Sequence, residues 1–320
     1  MDTILITGGA GFLGSSLVNV LLKSGKYNVI VCDNLSRGKK VNISKWIGHS
    51  NFKFVSTDML DLSVLQRLVE PCDIVFHLAG YAGVPLIGND MSKDYVQDIL
   101  ATHNLLEAMK STKQCKNLIY ASSSTVYGET GGKPASELNS PLKPISIYGA
   151  TKLACESLIC GYCHMFDISC AVVRLANIIG PSGNRGVVYD FVSKLYSNPE
   201  YLDILGNGKQ TKSYLYVDDC IDALISLLGR VEKMGFETFN VGSDDTITVL
   251  EIANIVIEEM SLNDVDKRFT DTFEGRGWKG DVTEIWLDCS KLKSFGWRPK
   301  YVSRDAVLLT GTQLIKRLKK

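Results

Sequence analysis

Compact apolar runs alternate with longer stretches in which apolar positions recur every three to four residues, and this alternation persists through the first half of the chain. The runs at 3–7, 28–32, 52–56, 73–77, 117–121 and 169–174 carry few polar interruptions, which predicts strands buried on both faces. Between them, 13–24, 63–69, 92–110 and 147–165 have helical spacing, so the pattern predicts successive βαβ units. Right-handed crossovers then give an α/β fold with a doubly wound parallel sheet. Beyond Arg174 the regularity gives way to loops at 180–184 and 206–208 around a helical stretch at 187–197, which predicts a smaller C-terminal α/β lobe. Residues 214–229 followed by 238–241 read as a return to the sheet. The expected domains are therefore 1–175 plus 213–241, and 176–212 plus 242–320.

Composition narrows the class of partner. A chain of 320 residues with 45% hydrophobic content can bury a large core. Thirty-five basic residues balance thirty-five acidic ones, which removes the electrostatic footprint of a nucleic-acid or membrane-surface binder and favours a small-molecule substrate. Met1 to Ile6 run straight into a glycine loop, so no signal peptide is expected, and no apolar run reaches membrane-spanning length. Nine cysteines, an odd number scattered through strands and helices, fit the thiols of a reducing compartment and a cytoplasmic protein. Cys160, Cys163 and His164 match a C-x-x-C-H haem pattern, and Cys155 and Cys170 lie close enough in sequence to suggest zinc. These positions continue a helix in which cysteine packs as a small hydrophobe, so no metal is expected.

The chemistry begins at Gly8, Gly9, Gly11 and Gly14, directly after the first strand. A glycine turn leading into a helix lets backbone amides approach a pyrophosphate that a Cβ would obstruct. Alone this is an ordinary tight turn. The second strand, however, ends in Asp33, where an acid can accept from the adenosine ribose hydroxyls and would repel a 2′-phosphate, which favours NAD over NADP. Tyr148 and Lys152 are four residues apart, on one helix face, so the ammonium can favour the phenolate. A phenol with an ordinary pKa of about 10 thereby becomes a usable base near neutral pH.

The ordered segments 7–14, 33–38, 58–61, 76–80, 122–128, 148–152 and 180–181 resemble the extended short-chain dehydrogenase/reductase family, within it the NAD-dependent sugar-nucleotide epimerases and dehydratases. The resemblance implies a Rossmann domain that binds NAD through Gly8, Gly11, Phe12, Leu13, Gly14, Asp33, Asn34, Ser36, Arg37 and Gly38. Asp58, Met59, Leu78, Ala79, Gly80, Ser122, Tyr148 and Lys152 complete that set, with Asp58 at the adenine amino group. It also implies that Tyr148 takes a proton from a sugar hydroxyl, Lys152 holds the ribose and lowers the phenol pKa, and Ser123 bonds the reacting oxygen. Ser123, Ser124, Tyr148, Asn177, Lys212 and Arg276 are the implied substrate contacts, Lys212 standing where relatives place Arg, and Lys279 competes with Arg276.

Subclass follows from the positions after Ser123. Dehydratases place Asp-Glu there and decarboxylating relatives a Glu in the second position, whereas this chain has Ser124 and Thr125, which cannot shuttle protons as carboxylates do. The expected function is an NAD-dependent nucleotide-sugar epimerase, foremost a UDP-glucose/UDP-galactose 4-epimerase working through a transient 4-keto sugar with retained NAD. Alternatives are a uronate C4 or CDP-sugar C2 epimerase, a nucleotide-sugar reductase, or, in another class, an NAD-binding sensor without turnover. The family also implies a homodimer through 92–110 and 147–165. Two departures stand out: Asp98 occupies the place of an Asn near the nicotinamide, and Ala82 replaces a Lys in a loop, 80–84, that resembles the uronate epimerases.

Overall fold

The computed structural model describes residues 1–81, 92, 95–271 and 273–319. These cluster into two units: Met1–Val126 with Ile147–Arg174 and Leu224–Phe239, and Tyr127–Ser146 with Leu175–Ala223 and Asn240–Lys320.

In the first unit the apolar runs become strands β1 (Asp2–Thr7), β2 (Tyr27–Asp33), β3 (Phe52–Ser56), β4 (Ile74–His77), β5 (Asn117–Ser123) and β6 (Ser169–Leu175), each within two residues of its expected position. Together with Phe236–Val241 they form a seven-stranded sheet in the order Phe236–Val241, β6, β5, β4, β1, β2, β3. The β1–β2, β1–β4, β2–β3 and β4–β5 pairs are parallel. This is the doubly wound Rossmann arrangement, and the chain reverses its direction of travel across the sheet between β1 and β4. Ligands of such sheets bind beyond the carboxyl ends of the strands at that switch point. Strand residues such as Ile4, Leu5, Ile6, Val75 and Phe76 are fully buried, as a sheet covered on both faces requires.

Helices α1 (Phe12–Ser24), α2 (Leu62–Val69), α3 (Ala101–Ser111) and α4 (Ile147–Phe166) supply the crossovers. Leu65, Leu105, Leu106, Met109, Cys155 and Ile159 pack in one cluster with sheet residues Leu5, Val75, Leu118 and Val172. Cys32, Cys72, Cys115, Cys163 and Cys170 belong to the same cluster, so these thiols fill core space. The expected helix at 92–110 takes a different form: a π-helical turn over Tyr95–Leu100 precedes α3, and residues 93 and 94 lie outside the described residues.

The second unit contains a parallel pair, Tyr201–Leu205 with Asp266–Thr270, and a three-stranded sheet of two-residue strands at Ile247–Thr248, Thr211–Lys212 and Glu284–Ile285. Tyr214–Tyr216 pairs in parallel with Asn177–Ile179 and is followed by the helix Val217–Ser226. Contrary to the sequence expectation, that segment does not re-enter the large sheet: Val217, Cys220, Ile221 and Leu224 are buried at helical spacing, and of the two segments Phe236–Val241 returns. Segments 127–146 and 213–223 accordingly cluster with this unit. Within it Asn240 binds the Tyr127 hydroxyl at 2.7 Å and the Ala135 carbonyl at 2.8 Å.

A buried ion pair locks α4 to the sheet. Arg174, near the end of β6, donates from Nε to Glu156 Oε1 at 3.0 Å and from Nη2 to Oε2 at 2.7 Å, while Ser122 Oγ donates to Oε1 at 2.5 Å. Arg174 and Glu156 are 5% and 3% exposed, so neither charge has much water to fall back on. Arg174→Met should lower stability in urea denaturation by about 3–5 kcal/mol, because it leaves a carboxylate buried and uncompensated. The double variant Arg174→Met/Glu156→Leu should recover most of that loss; a single-variant loss below about 1 kcal/mol would contradict this role.

Candidate active site

At the switch point, β1 is followed by Gly8, whose φ of +70° suits a residue without a side chain. A Cβ there would lie 2.8 Å from the backbone of Ala79, and one at Gly14 would lie 2.6 Å from Gly9 Cα. These glycines let the ends of β1 and β4 and the start of α1, at Phe12 and Leu13, approach one another closely. The Gly11 N-cap provides no side-chain bond to α1 and its first turn has no acidic residue, so the helix amides there can meet an anion.

Asp33, closing β2, accepts the Ala10 amide at 2.9 Å and the Leu35 amide at 2.8 Å. Its carboxylate is fixed in place with lone pairs left for vicinal ribose hydroxyls. Gly38 leaves room for it, since a Cβ at that position would lie 2.7 Å from Asp33 Oδ2. Asn34 accepts the Ser36 amide and donates to Asp58 Oδ2 at 2.8 Å, while Asp58 Oδ1 accepts the Leu60 amide across a buried Met59. The Arg37 guanidinium lies 3.9 Å over the Tyr81 ring. A backbone cradle that a Cβ would fill, an uncapped helix start and a carboxylate held by two backbone amides together fit a dinucleotide. Ala82 and the rest of its loop through Val84 lie outside the described residues.

A hydrogen-bond chain ties this cradle to the turn before α3. The Ala79 amide donates to Thr7 Oγ1 at 3.2 Å, and Leu78 donates to the Thr7 carbonyl at 3.3 Å. Thr102 spends its single hydroxyl proton on the Asp98 carbonyl at 2.6 Å, so it accepts from His77 Nε2 at 2.9 Å. His77 Nδ1 must then accept from Thr7 Oγ1 at 2.8 Å. The imidazole is neutral, because burial and the nearby Lys152 charge push its pKa down to about 3. Neither His77 nor Thr102 had a signal in the sequence beyond its place at the end of an apolar run or on a helix.

Lys152 is 5% exposed, with Nζ 3.7 Å from Asp98 Oδ1, 3.3 Å from the Ala121 carbonyl and 5.8 Å from the Tyr148 ring centroid. Burial works against its charge, but Asp98 first, then Tyr148 and Cys155, outweigh it and raise the pKa, so the side chain is an ammonium at neutral pH. Tyr148, one turn earlier on the same face, is half-buried. Ala121 and Ser122, bound to Lys152 and Glu156, fix the last turn of β5 and hence Ser123. Ser123 Oγ accepts from Thr125 N at 3.2 Å and Thr125 Oγ1 at 2.9 Å, which leaves its O–H to donate. Ser124 is buried.

In the second unit, Asn177 Nδ2 donates to the Ser213 carbonyl at 3.2 Å. Lys212 and Arg276 meet at Asp281: Lys212 Nζ pairs with Asp281 Oδ1, Arg276 bonds the Asp281 carbonyl and also pairs with Glu129, and the Gly277 amide donates to Asp281 Oδ2 at 3.2 Å. Lys279, the competing cation, is exposed. The two carboxylates that hold these cations, Asp281 and Glu129, went unrecognised in the sequence because their partners are 69 and 147 residues away.

The cysteines, including those of the C-x-x-C-H stretch, are free thiols, and burial first, then the hydrogen bond and charge of Cys163, raises Cys170 well above the ordinary thiol range. Among the described residues no helix is long and apolar enough to cross a membrane.

The chain is similar to the UDP-glucose 4-epimerase of Mycolicibacterium smegmatis, at 30% identity over 96% of each protein. Among solved structures it is similar to a UDP-galactose 4-epimerase at 37% identity and TM-score 0.87. The UDP-glucuronic acid 4-epimerase of Bacillus cereus, in complex with UDP-glucuronic acid and NAD, matches at 30% identity and TM-score 0.89; each structure covers 99% of both chains. The model of the NAD dependent epimerase/dehydratase family matches residues 4–242. With that match lying over the nucleotide cradle and the Tyr148–Lys152 helix, the chain belongs to the NAD dependent epimerase/dehydratase family and is an NAD-dependent epimerase of the extended short-chain dehydrogenase/reductase type.

Proposed function

We propose that the protein interconverts UDP-hexose epimers at C4, with UDP-glucose and UDP-galactose as the pair. The observation that carries this reading is the pairing of Tyr148 with the Lys152 ammonium, which binds the Ala121 carbonyl of the strand that ends in Ser123, followed in sequence by two uncharged hydroxyl residues. The Tyr148 phenol would take the proton of the sugar hydroxyl and later return it. Lys152 would stabilise the phenolate through its charge, held in place by Asp98 and the Ala121 carbonyl. Ser123, already accepting two bonds from Thr125, would donate its own proton to the reacting oxygen. NAD, when bound in the cradle, supplies hydride acceptance from the sugar carbon and its return to the other face. Ser124 and Thr125 cannot act as a proton-shuttling carboxylate pair, which argues against water elimination.

Lys212 and Arg276 would neutralise the diphosphate of the substrate, with Asp281 and Glu129 keeping the cations in place until it arrives. Asn177 would complete the contact. The named substrates of the similar UDP-galactose and UDP-glucose 4-epimerases support the hexose. The similarity to a UDP-glucuronic acid 4-epimerase favours a uronate as the second reading.

Incubating purified protein with UDP-glucose or UDP-glucuronic acid, without added cofactor, and following the sugar by NMR separates the two. UDP-galactose should form from UDP-glucose; conversion of the uronate alone would favour the second reading, and a requirement for stoichiometric reduced cofactor would favour a reductase. Tyr148→Phe should still release NAD on denaturation but lose about a thousandfold in turnover; activity within tenfold of the parent would contradict its role. Lys212→Ala and Arg276→Ala should each raise KM about 10- to 100-fold, as expected for loss of a charged hydrogen bond to phosphate, with a smaller effect on kcat. An unchanged KM in both would remove them from the substrate site.

A further inference from the structure

Asp98 is a carboxylate almost fully buried, at 2% exposure, in the π-helical turn Tyr95–Leu100. Oδ1 accepts the Tyr81 amide at 2.9 Å and faces Lys152 Nζ at 3.7 Å. Oδ2 is buried with no hydrogen-bond partner among the described residues. An amide in the same place could accept the Tyr81 amide equally well, so that bond does not explain a charge here. Among the described residues the charge has its counterpart in Lys152. Gly80 supports the pairing from a third position: a Cβ there would lie 2.7 Å from Asp98 Oδ1 and 2.8 Å from Lys152 Nζ. Residues 80, 98 and 152 thus agree on one arrangement, although they come from separate elements.

The groups facing Lys152 can be named from each element packed against it. Tyr148 and Cys155 come from α4, Tyr120 and the Ala121 carbonyl from β5, His77 from β4 and Asp98 from the turn before α3. His77 is neutral, and burial pushes the Tyr120 phenol and the Cys155 thiol upward, so they too are neutral near pH 7. Glu156, one turn further along α4, is paired with Arg174, so among the described residues Asp98 is the carboxylate left to meet the ammonium before Tyr148 ionises.

We propose that Asp98 is a positioning residue for the Tyr148–Lys152 pair, anchoring the ammonium beside the end of β5 and setting, by its charge, the pH range in which the pair works. The proposal rests on reading Tyr148 as the base. A neighbouring negative charge opposes the loss of any proton from the pair. Removing that charge makes the first proton easier to lose, whether it leaves the phenol or the ammonium, and makes the second easier as well. Asp98 therefore holds the working range at higher pH than an amide would, and in return keeps Lys152 charged across it.

Asp98→Asn keeps the side-chain shape and the acceptor for Tyr81, and Asp98→Ala serves as a second variant that removes charge and acceptor together. Two readouts apply: the pH profile of kcat, and the ultraviolet difference titration of the Tyr148 phenol, obtained by subtracting the same titration in a Tyr148→Phe background. Both variants should move the acid limb and the phenol midpoint down by about one pH unit. A profile and a titration that superimpose on the parent would overturn the proposal. So would an equal loss of rate at every pH with an unmoved phenol midpoint, the signature of a purely structural role. Failure of both variants to fold, seen by circular dichroism, would overturn it too, because the carboxylate would then be a requirement of the fold. Should no nucleotide sugar be turned over by the parent, the proposed reaction fails, while the phenol titration still decides the role of Asp98.

Discussion

Two opposite charges buried one turn apart on a single helix face organise the first unit. Lys152 and Glu156, both nearly inaccessible, are compensated by Asp98 and by Arg174, which reach them from different elements. Charges in such surroundings are tolerated only when their partners are correctly placed, so the register of α4 against β5 and β6 has little freedom. Tyr148 lies four residues before Lys152 on the same face and inherits that precision. The catalytic reading of the tyrosine depends less on the tyrosine than on the two ion pairs beneath it.

The hydrogen-bond chain from Ala79 through Thr7, His77 and Thr102 to the Asp98 carbonyl extends the same constraint to the nucleotide cradle. A neutral imidazole with one donor and one acceptor permits that chain to run in a single direction. The glycine loop, the end of β4 and the turn carrying Asp98 are thereby held as one rigid framework around Lys152.

The parallel sheet was legible in the sequence because each strand is a local event, a short apolar run between helices that cover both faces. The glycine loop and the Tyr148–Lys152 pair were legible for a similar reason: their chemistry is written in close spacing. The second unit was harder. Strands of two residues at Thr211–Lys212 or Glu284–Ile285 leave no period to detect, and the segment 214–229 reads as a return to the sheet although Val217, Cys220, Ile221 and Leu224 are the buried positions of a helix. The partners of functional residues were hidden most deeply. Asp98 and Lys152, or Arg276 and Glu129, are linked only through folding, and a charged residue far along the chain reads as a solvated surface group until its counterpart is placed beside it.

In the proposed reaction one bound sugar surrenders and recovers the same hydrogen at C4, without exchange. UDP-glucose carrying deuterium at C4, incubated with the purified protein and no added cofactor, tests it directly by NMR and mass spectrometry of the product. The expected product is UDP-galactose that retains the deuterium at C4. Washout of the label into solvent, or epimerisation only when cofactor is supplied in stoichiometric amount, would contradict it.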